Sequence, residues 1–202
     1  MKDNFSEVFA VFKKNYVAPP LEKYGNHPYK TLISTLLSAR TKDSMTFKVC
    51  EEKLFPRAGD IKMLRDLDIK TIEELIYPVG FYKTKARHLK MLAEMVVENF
   101  DGKISDTREG LMSLPGVGRK TANLVLNRAF DMPAIAVDTH VHKITNLLGW
   151  VNTSIPEKTE VELMKVLPKK YWTDINRLFV SIGQQYQTTK RQLEFLKINN
   201  LV

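Results

Sequence analysis

The apolar residues of the chain recur at intervals of three and four positions, with little of the strict alternation that half-buried strands show. After Pro28, for example, Leu32, Ile33, Leu36 and Leu37 form one stripe along a helix that proline is well suited to begin. The same periodicity continues along most of the sequence. It predicts an all-α protein built from short helices.

Capping residues and helix breakers divide the first half of the chain into such helices. Asp43 is predicted to cap a helix that ends near Pro56. Thr71 and Glu74 have the spacing of a capping box, and Pro78 stops the helix that this box would begin. Tight joints between short helices are therefore expected.

A longer helical pattern runs from Lys83 to Phe100 and ends at Asp101-Gly102. One side of it is apolar and another is basic. The solvated face of a helix is the ordinary interpretation of the basic side, and following a phosphate backbone is the alternative. The inward positions are Leu89, Leu92, Ala93 and Val96, and the basic positions are Lys83, Arg87 and Lys90.

A glycine-containing turn between two helical patterns follows. The segment from Leu111 to Leu114 leads into Pro115-Gly116-Val117-Gly118, after which a second helix begins. The inward face of that second helix is formed by Ala122, Val125, Leu126 and Ala129. The pattern predicts a helix, a tight turn and another helix.

The remainder of the chain is also predicted to be mainly helical. Pro133 interrupts the pattern, and residues 135–137 form a brief extended stretch before Asp138 opens another helix. A further helix begins at Pro156, and a last helical region runs from about Lys170 to the C-terminus. The sequence contains no internal repeat and no low-complexity tract.

Composition adds a cationic surplus to this picture. The 202 residues include 31 Lys and Arg against 23 Asp and Glu, a net charge of +8, with a pI near 9.4. Such a surplus favours an anionic partner, of which nucleic acid is the commonest, although a merely basic surface has the same composition.

The cysteine count and the N-terminal sequence exclude other classes of protein. Cys50 is the only cysteine of the chain, which rules out an intrachain disulfide framework, a Cys₄ zinc site and a cysteine-ligated iron–sulfur cluster. No apolar run is long enough to cross a bilayer, and Asp3 and Glu7 fall where a signal peptide needs an apolar core. A soluble intracellular protein (cytoplasm or nucleoid) with no membrane partner is expected.

The two glycines of the turn have a chemical interpretation as well as a structural one. Gly116 and Gly118 place no side chain in the way of a ligand, and the helix that follows presents unpaired N–H groups and a positive dipole end. That combination attracts phosphate. Alternatively, the glycines only close a helical hairpin. A dinucleotide-binding loop is disfavoured because no strand precedes the turn and Thr121 stands where the third glycine would be.

Lys120 and Asp138 are the candidate reactive residues. Lys120 lies in the first turn after the glycines and shares a polar face with Asn123 and Asn127. A partly desolvated lysine beside a positive dipole end has a lowered pKa, and its neutral amine is nucleophilic. An ordinary phosphate counter-charge is the alternative for Lys120, and capping the helix that starts at Thr139 is the alternative for Asp138.

The segments LPGVGRKTANLVLNRAF and DMPAIAVDTHVHKITNLL, residues 114–148, resemble the endonuclease III family of helix–hairpin–helix DNA glycosylases. The resemblance extends through the segments LLSAR and VGFY and covers roughly residues 28 to 186. It implies that Lys120, directly after the hairpin, is the catalytic lysine. It also implies that Asp138, in the VDTH segment, is the second catalytic residue.

The family fold implied by this resemblance has two all-α lobes with DNA in the cleft between them. On this sequence the barrel-like lobe with the helix–hairpin–helix motif would be residues 21–132. The second lobe would combine residues 1–20 with residues 133–202. This arrangement would bring Lys120 opposite Asp138.

The implied reaction is base-excision repair. A monomer would bind double-stranded DNA with a damaged base or an abasic site, flip a damaged base (an oxidised pyrimidine) out of the stack, remove it through a lysine Schiff base and cleave the strand by β-elimination. Two alternatives stay open. One is a monofunctional uracil, thymine or adenine mismatch glycosylase, disfavoured because Lys120 is present. The other is a non-catalytic helix–hairpin–helix DNA-binding module.

The resemblance also assigns DNA contacts. Arg40 matches the residue that fills the gap left by the flipped nucleotide, usually glutamine, and Phe81 matches a wedging leucine; a surface charge and a core aromatic are the alternatives. His140 is predicted either to contact a phosphate or only to complete the helix cap. The hairpin residues expected at the DNA backbone are Gly116, Val117, Gly118 and Arg119.

The sequence departs from the family at the residues that hold a metal cluster in many relatives. Many relatives hold an iron–sulfur cluster with four C-terminal cysteines, whereas Gln187 occupies the first ligand position here. Neither a metal ligand set nor an organic cofactor is therefore expected, and apolar packing would close the lobe instead. A monovalent cation at the hairpin carbonyls is the one ion left open. The packing residues would be Leu193, Phe195, Leu196 and Ile198, and the carbonyls those of Met112, Leu114 and Val117.

Overall fold

The computed structural model describes residues 3–202, and this part of the chain is helical without a β-strand. The all-α prediction is confirmed. None of these helices is long and apolar enough to cross a membrane. The α-helices in the first part are α1 Phe5–Lys14, α2 Pro28–Ser38, α3 Asp43–Val49, α4 Phe55–Arg57, α5 Ile61–Asp66, α6 Ile69–Ile76, α7 Tyr82–Asn99 and α8 Arg108–Met112. They are followed by α9 Arg119–Phe130, α10 Thr139–Leu147, α11 Pro156–Val166, α12 Trp172–Gln185 and α13 Thr189–Ile198.

Local sequence explains why α2 forms where it does. Pro28 occupies the first position of the helix, where its missing N–H costs no intrahelical hydrogen bond. The predicted stripe of Leu32, Ile33, Leu36 and Leu37 is buried. The apolar stripe thus fixes which face of α2 packs inward, and its C-terminus at Ser38 leads into the loop that carries Arg40.

Two predicted helix starts are wrong. Helix α6 begins at Ile69, and its cap is Asp68, whose Oδ1 accepts a hydrogen bond from the Thr71 N–H at 3.0 Å. Thr71 therefore lies inside the first turn. Helix α3 begins at Asp43 itself, so Asp43 acts as a first-turn acidic residue rather than as the cap.

Residues 20–131 form one compact unit, here termed the hairpin unit. In it α2 packs on α9, and α7 packs on α5 and α6. The predicted inward face of α7 is buried, since Leu89, Leu92, Ala93 and Val96 are inaccessible to solvent or nearly so. These contacts hold the N-terminal ends of α7 and α9 and the C-terminal end of α2 within one packed body.

The described residues up to Pro19 and residues 132–202 form a second compact unit, here termed the terminal unit. Its core is aromatic: the ring centroids of Phe5 and Trp150 lie 4.7 Å apart, and those of Phe12 and Phe179 lie 4.8 Å apart. The Trp150 indole N–H also donates to Asn4 Oδ1 at 2.9 Å. These contacts pack the N-terminal helix α1 against the C-terminal helices.

The C-terminal region differs in detail from its prediction. It consists of α12 and α13 rather than one helical run, because the chain turns at residues 186–188 and Thr188 caps α13 by accepting from the Arg191 N–H. Phe195 and Leu196 are buried as expected, but Ile198 is 81% exposed. Ile198 therefore does not contribute to the packing that closes this end.

Candidate functional site

The glycine turn lies between α8 and α9, as the sequence predicted. The Thr107 hydroxyl caps α8 by accepting from the Gly110 N–H at 3.1 Å. Arg108 Nε donates to the Asn123 side-chain oxygen at 3.0 Å, and this bond joins α8 to α9. The two helices of the hairpin are thus held by a polar contact that is independent of the turn itself.

The two glycines of the turn serve different purposes. Gly116 has φ +79°, and a Cβ atom there would lie 2.8 Å from the His88 Nδ1 atom, so both backbone and packing require glycine. Gly118 is extended at φ −93° and ψ 175°, and apart from its neighbours in the chain nothing lies within 4 Å of the place where its Cβ would be. At Gly118 the missing side chain therefore leaves open space at the start of α9.

Val117, which is expected at the DNA backbone, is engaged within the protein. Its side chain is buried, and its amide already donates to the Leu114 carbonyl oxygen at 3.1 Å. The turn itself pairs this amide inside the protein, so the amide is not available to a ligand. The open side of the hairpin is therefore formed by Gly118 and by the first residues of α9.

Arg119 and Lys120 are the first two residues of α9 and both are exposed. The partial desolvation expected of Lys120 stays a prediction, but the polar face that Lys120 was expected to share is wrong. Asn123 and Asn127 are buried instead, and Asn123 is engaged by α8 as described above. The first turn of α9 therefore presents Lys120 to solvent together with Arg119, whereas the two asparagines face the core.

Asp138 lies in the terminal unit at the N-terminus of α10. Its Oδ1 atom accepts from the amides of His140 at 2.9 Å and Val141 at 2.8 Å, so it caps the helix as its alternative role predicted. The residue is half-buried. Because a carboxylate can accept about four hydrogen bonds, capping through one oxygen leaves capacity for a ligand.

The segment before Asp138 fixes its position. Residues 134–137 are buried and belong to no helix, and the Ala136 carbonyl accepts from the Asn176 side-chain amide at 3.0 Å. His140 is also held, because Gly183 of α12 makes room for its ring: a Cβ at Gly183 would lie 2.1 Å from His140 Nδ1. Both residues therefore have orientations set by packing inside the terminal unit.

Arg40 and Phe81, which are far apart in sequence, lie together in the hairpin unit. The Arg40 guanidinium carbon is 5.3 Å from the centre of the Phe81 ring, a cation–π contact. Phe81 is 61% exposed, so the alternative of a core aromatic is wrong. Arg40 is exposed as well.

The backbone at both residues is strained. Arg40 has φ +55° and Phe81 has φ +58°, a region that costs residues with a side chain roughly 1–2 kcal/mol. Such conformations persist where neighbouring contacts over-determine them, and they cluster at functional sites. Here one neighbouring contact is the bond from the Gly80 amide to Thr41 Oγ1 at 3.1 Å, which joins the two loops.

A lysine that the sequence did not single out lies behind this pair. Lys85 Nζ donates to the carbonyl oxygens of Leu37 at 2.8 Å and Ala39 at 2.6 Å. Burial lowers the pKa of Lys85 to about 8, so the ammonium form still predominates at neutral pH. A cavity of about 300 Å³ adjoins it, and the residues around that cavity include Arg40, Phe81, Lys85, His88, Gly116 and Thr121.

The residues present do not fit an iron–sulfur cluster. Within residues 3–202 no group of three or more His, Cys, Asp and Glu side chains is placed to hold a metal ion. The single cysteine, Cys50, is buried in the hairpin unit, and burial raises the pKa of its thiol to about 12. A thiol in this environment is neither a ligand nor a nucleophile at neutral pH.

Comparison with known proteins defines the class. Residues 33–169 match the model of the HhH-GPD superfamily of base excision DNA repair proteins. Endonuclease III of Thermotoga maritima is 44% identical over 158 residues, which are 78% of this chain and 74% of that protein. Endonuclease III homolog 2, chloroplastic, of Arabidopsis thaliana is 45% identical over 186 residues, 86% of this chain but 46% of that protein, so the chain spans about half the length of the plant relative.

A solved structure of a trapped endonuclease III–DNA covalent intermediate, the estranged-adenine complex, is similar with a TM-score of 0.81 and 30% identity. The similarity covers 93% of this chain and 88% of that chain. The chain belongs to the endonuclease III family of this superfamily. It is a base-excision repair enzyme of the DNA glycosylase and AP lyase class.

Proposed function

We propose that the chain removes an oxidised pyrimidine from double-stranded DNA and then cleaves the strand at the resulting site, with Lys120 as the nucleophile. The observation that carries the proposal is the exposed Lys120 in the first turn of α9, directly after the open Gly118 end of the hairpin. The trapped covalent complex of the related endonuclease III supports a covalent step. In the sequence, no other lysine follows a pair of glycines that one residue separates.

The proposed reaction begins once the damaged nucleotide has left the base stack, which is easiest for a weakly paired base. The neutral Lys120 amine attacks C1′ of the sugar, and the glycosidic bond breaks with its electrons going to the base. Loss of a proton from nitrogen and opening of the sugar ring give a Schiff base. Removal of a C2′ proton then expels the 3′ phosphate and leaves a nicked strand.

Asp138 is proposed to supply the negative charge that this reaction needs. A carboxylate near the sugar stabilises the cationic character that develops at C1′ and assists removal of the lysine proton. The fixed orientation of Asp138 supports this role, because a preorganised charge pays no reorganisation cost when the reaction occurs.

The remaining site residues are proposed to bind the DNA. Arg40 would occupy the gap left by the flipped nucleotide and Phe81 would stack between bases, as their exposure and mutual contact allow. Backbone phosphates would bind the open hairpin at Gly116, Gly118 and Arg119. The Val117 amide is already paired with Leu114, so Val117 would contribute only to the shape of the hairpin. His140, which lies in the terminal unit, would contact a DNA phosphate.

We further propose that the hairpin unit and the terminal unit correspond to the two DNA-binding lobes of the family. The net charge of +8 supports an anionic partner. We propose that the protein acts inside the cell as a monomer. A monovalent cation at the hairpin carbonyls also remains a proposal, since the Leu114 oxygen keeps a second lone pair after bonding Val117.

Activity is expected to survive strong chelation. The chain has one cysteine, which is buried, and Gln187 stands where a first cluster ligand would fall, so no proposed step depends on iron. The measurement is strand cleavage after prolonged incubation with EDTA, together with iron content and visible absorbance. A stoichiometric amount of iron in the active protein would contradict the proposal.

The substrate proposal is tested with a panel of duplexes that carry one lesion each: an oxidised pyrimidine, uracil, a mismatched thymine, a mismatched adenine or an abasic site. We expect base release, strand cleavage and a borohydride-trapped complex on the oxidised pyrimidine, and trapping on the abasic site. Base release without trapping would indicate a monofunctional glycosylase. Binding without turnover on any duplex would indicate a DNA-binding module.

A further inference from the structure

The turn that carries Arg40 has an unusual residue at its most demanding position. The Thr41 amide donates to the Ser38 carbonyl at 2.9 Å, Ala39 has φ −56° and ψ 118°, and Arg40 has φ +55°. These values describe a type II turn, whose third residue is normally glycine or asparagine because of its positive φ. An arginine there must be held in place by its surroundings.

Lys85 supplies that support from a different helix. Its ammonium group binds the Leu37 and Ala39 carbonyl oxygens, which flank the end of α2, and it lies 3.5 Å from Thr41 Oγ1. The last carbonyls of a helix lack intrahelical partners and carry the negative end of the dipole, so a cation is a favourable partner for them. Lys85 therefore caps α2 and contacts residues that precede and follow Arg40.

Lys85 also contacts the loop that carries Phe81. Its own backbone amide donates to the Phe81 carbonyl at 3.0 Å. The two loops approach closely, since a Cβ at Gly80 would lie 2.9 Å from the Arg40 carbonyl oxygen. Lys85 thus bonds to the Arg40 turn through its side chain and to Phe81 through its main chain.

We infer that Lys85 is a positioning residue for the reaction, which by capping α2 aims the Arg40 side chain into the gap that the flipped nucleotide leaves. The inference rests on the proposed role of Arg40. It assigns Lys85 no contact with the reacting atoms. Its effect is therefore confined to duplex substrates, because single-stranded DNA has no gap to fill.

The chain offers a matched control on the same helix. Lys90 of α7 donates to the Arg65 carbonyl near the C-terminus of α5 and pairs with Glu94 on its own helix, so it uses the same type of bond at the end of a different helix. Lys85→Met and Lys90→Met each remove such a bond and keep the methylene stem. A general loss of packing or stability is expected to be similar in both variants.

The experiment measures single-turnover cleavage of an abasic site in duplex and in single-stranded DNA for the full chain and the variants K85M, K85R, K90M, R40A and K85M/R40A. Duplex cleavage by K85M is expected to fall roughly ten- to hundredfold, the range for a lost hydrogen bond to a charged group, while single-stranded cleavage stays near wild type. K85R, which keeps a cationic donor, is expected to recover most of the rate. K90M is expected to cleave both substrates normally.

The double variant decides whether Lys85 acts through Arg40. If it does, K85M adds nothing to R40A, since coupled residues are not additive. Fluorescence of 2-aminopurine placed opposite the abasic site reports gap filling, and K85M is expected to match R40A in this signal. Thermal unfolding of every variant shows whether it is folded, and K85R keeps the comparison usable should K85M unfold.

The outcomes separate the inference from the proposed function. Full activity of R40A on duplex DNA would overturn the role of Arg40 and the inference with it. If R40A loses duplex cleavage while K85M cleaves the duplex as well as K90M does, the inference alone is overturned. Additive losses in the double variant, or an equal loss on single-stranded DNA, would likewise show that Lys85 does not act through Arg40.

Discussion

Lys120→Gln is expected to abolish covalent trapping on damaged duplex DNA and to reduce strand cleavage to the uncatalysed background. Glutamine keeps the length and polarity of the side chain but has no nucleophilic amine, so no Schiff base can form. Because Lys120 is exposed, the substitution should change the free energy of unfolding by less than about 0.5 kcal/mol. The measurements are borohydride trapping, cleavage of an abasic duplex and thermal unfolding.

DNA binding by this variant is expected to persist, since the hairpin backbone and Arg119 are unchanged. Lys103→Gln serves as the control: it makes the same substitution at an exposed lysine of the hairpin unit outside the proposed site. Strand cleavage retained by Lys120→Gln would place the nucleophile on another residue.

Asp138→Asn is expected to lower the single-turnover rate of base removal by about 10²–10⁴-fold while leaving stability nearly unchanged. Asparagine caps helices about as well as aspartate, so the bonds to the His140 and Val141 amides can be retained. Only the negative charge is lost. Asp138→Ala loses both the charge and the cap, and it is expected to cost about 1 kcal/mol of stability in addition.

The comparison between these variants separates capping from chemistry. Asp68→Ala is a suitable control because Asp68 caps α6 in the same way through the Thr71 amide, within the hairpin unit. It is expected to lose stability like Asp138→Ala while retaining its rate. An Asp138→Asn variant with the wild-type rate would show that Asp138 is a helix cap and nothing more.

The spacing of apolar residues was sufficient to predict the class of fold and most of the helices. Buried faces such as that of α7 recur every three to four residues, and burial of apolar surface is what holds these helices in place. Helix ends were less predictable. Thr71 and Glu74 have the spacing of a capping box, yet Asp68, three residues earlier, takes the capping position, because several residues near a helix start compete for the same unpaired amides.

The polar face predicted for α9 shows where periodicity fails. Lys120, Asn123 and Asn127 are all polar, so sequence spacing placed them together in solvent. The structure buries both asparagines, and Arg108 of the neighbouring helix bonds one of them. Polar residues enter a core when a partner satisfies them, and that partner depends on packing between helices.

The sequence by itself determined the helical class, the glycine hairpin with Lys120 directly after it, and the resemblance that assigned Arg40, Phe81 and Asp138. These features depend on residues adjacent along the chain or on short motifs. Only the tertiary structure brought Arg40 against Phe81 and revealed Lys85 behind them. The acceptors of Lys85 are backbone carbonyls more than forty residues away. Every residue has a carbonyl, so folding alone decides which ones a lysine reaches.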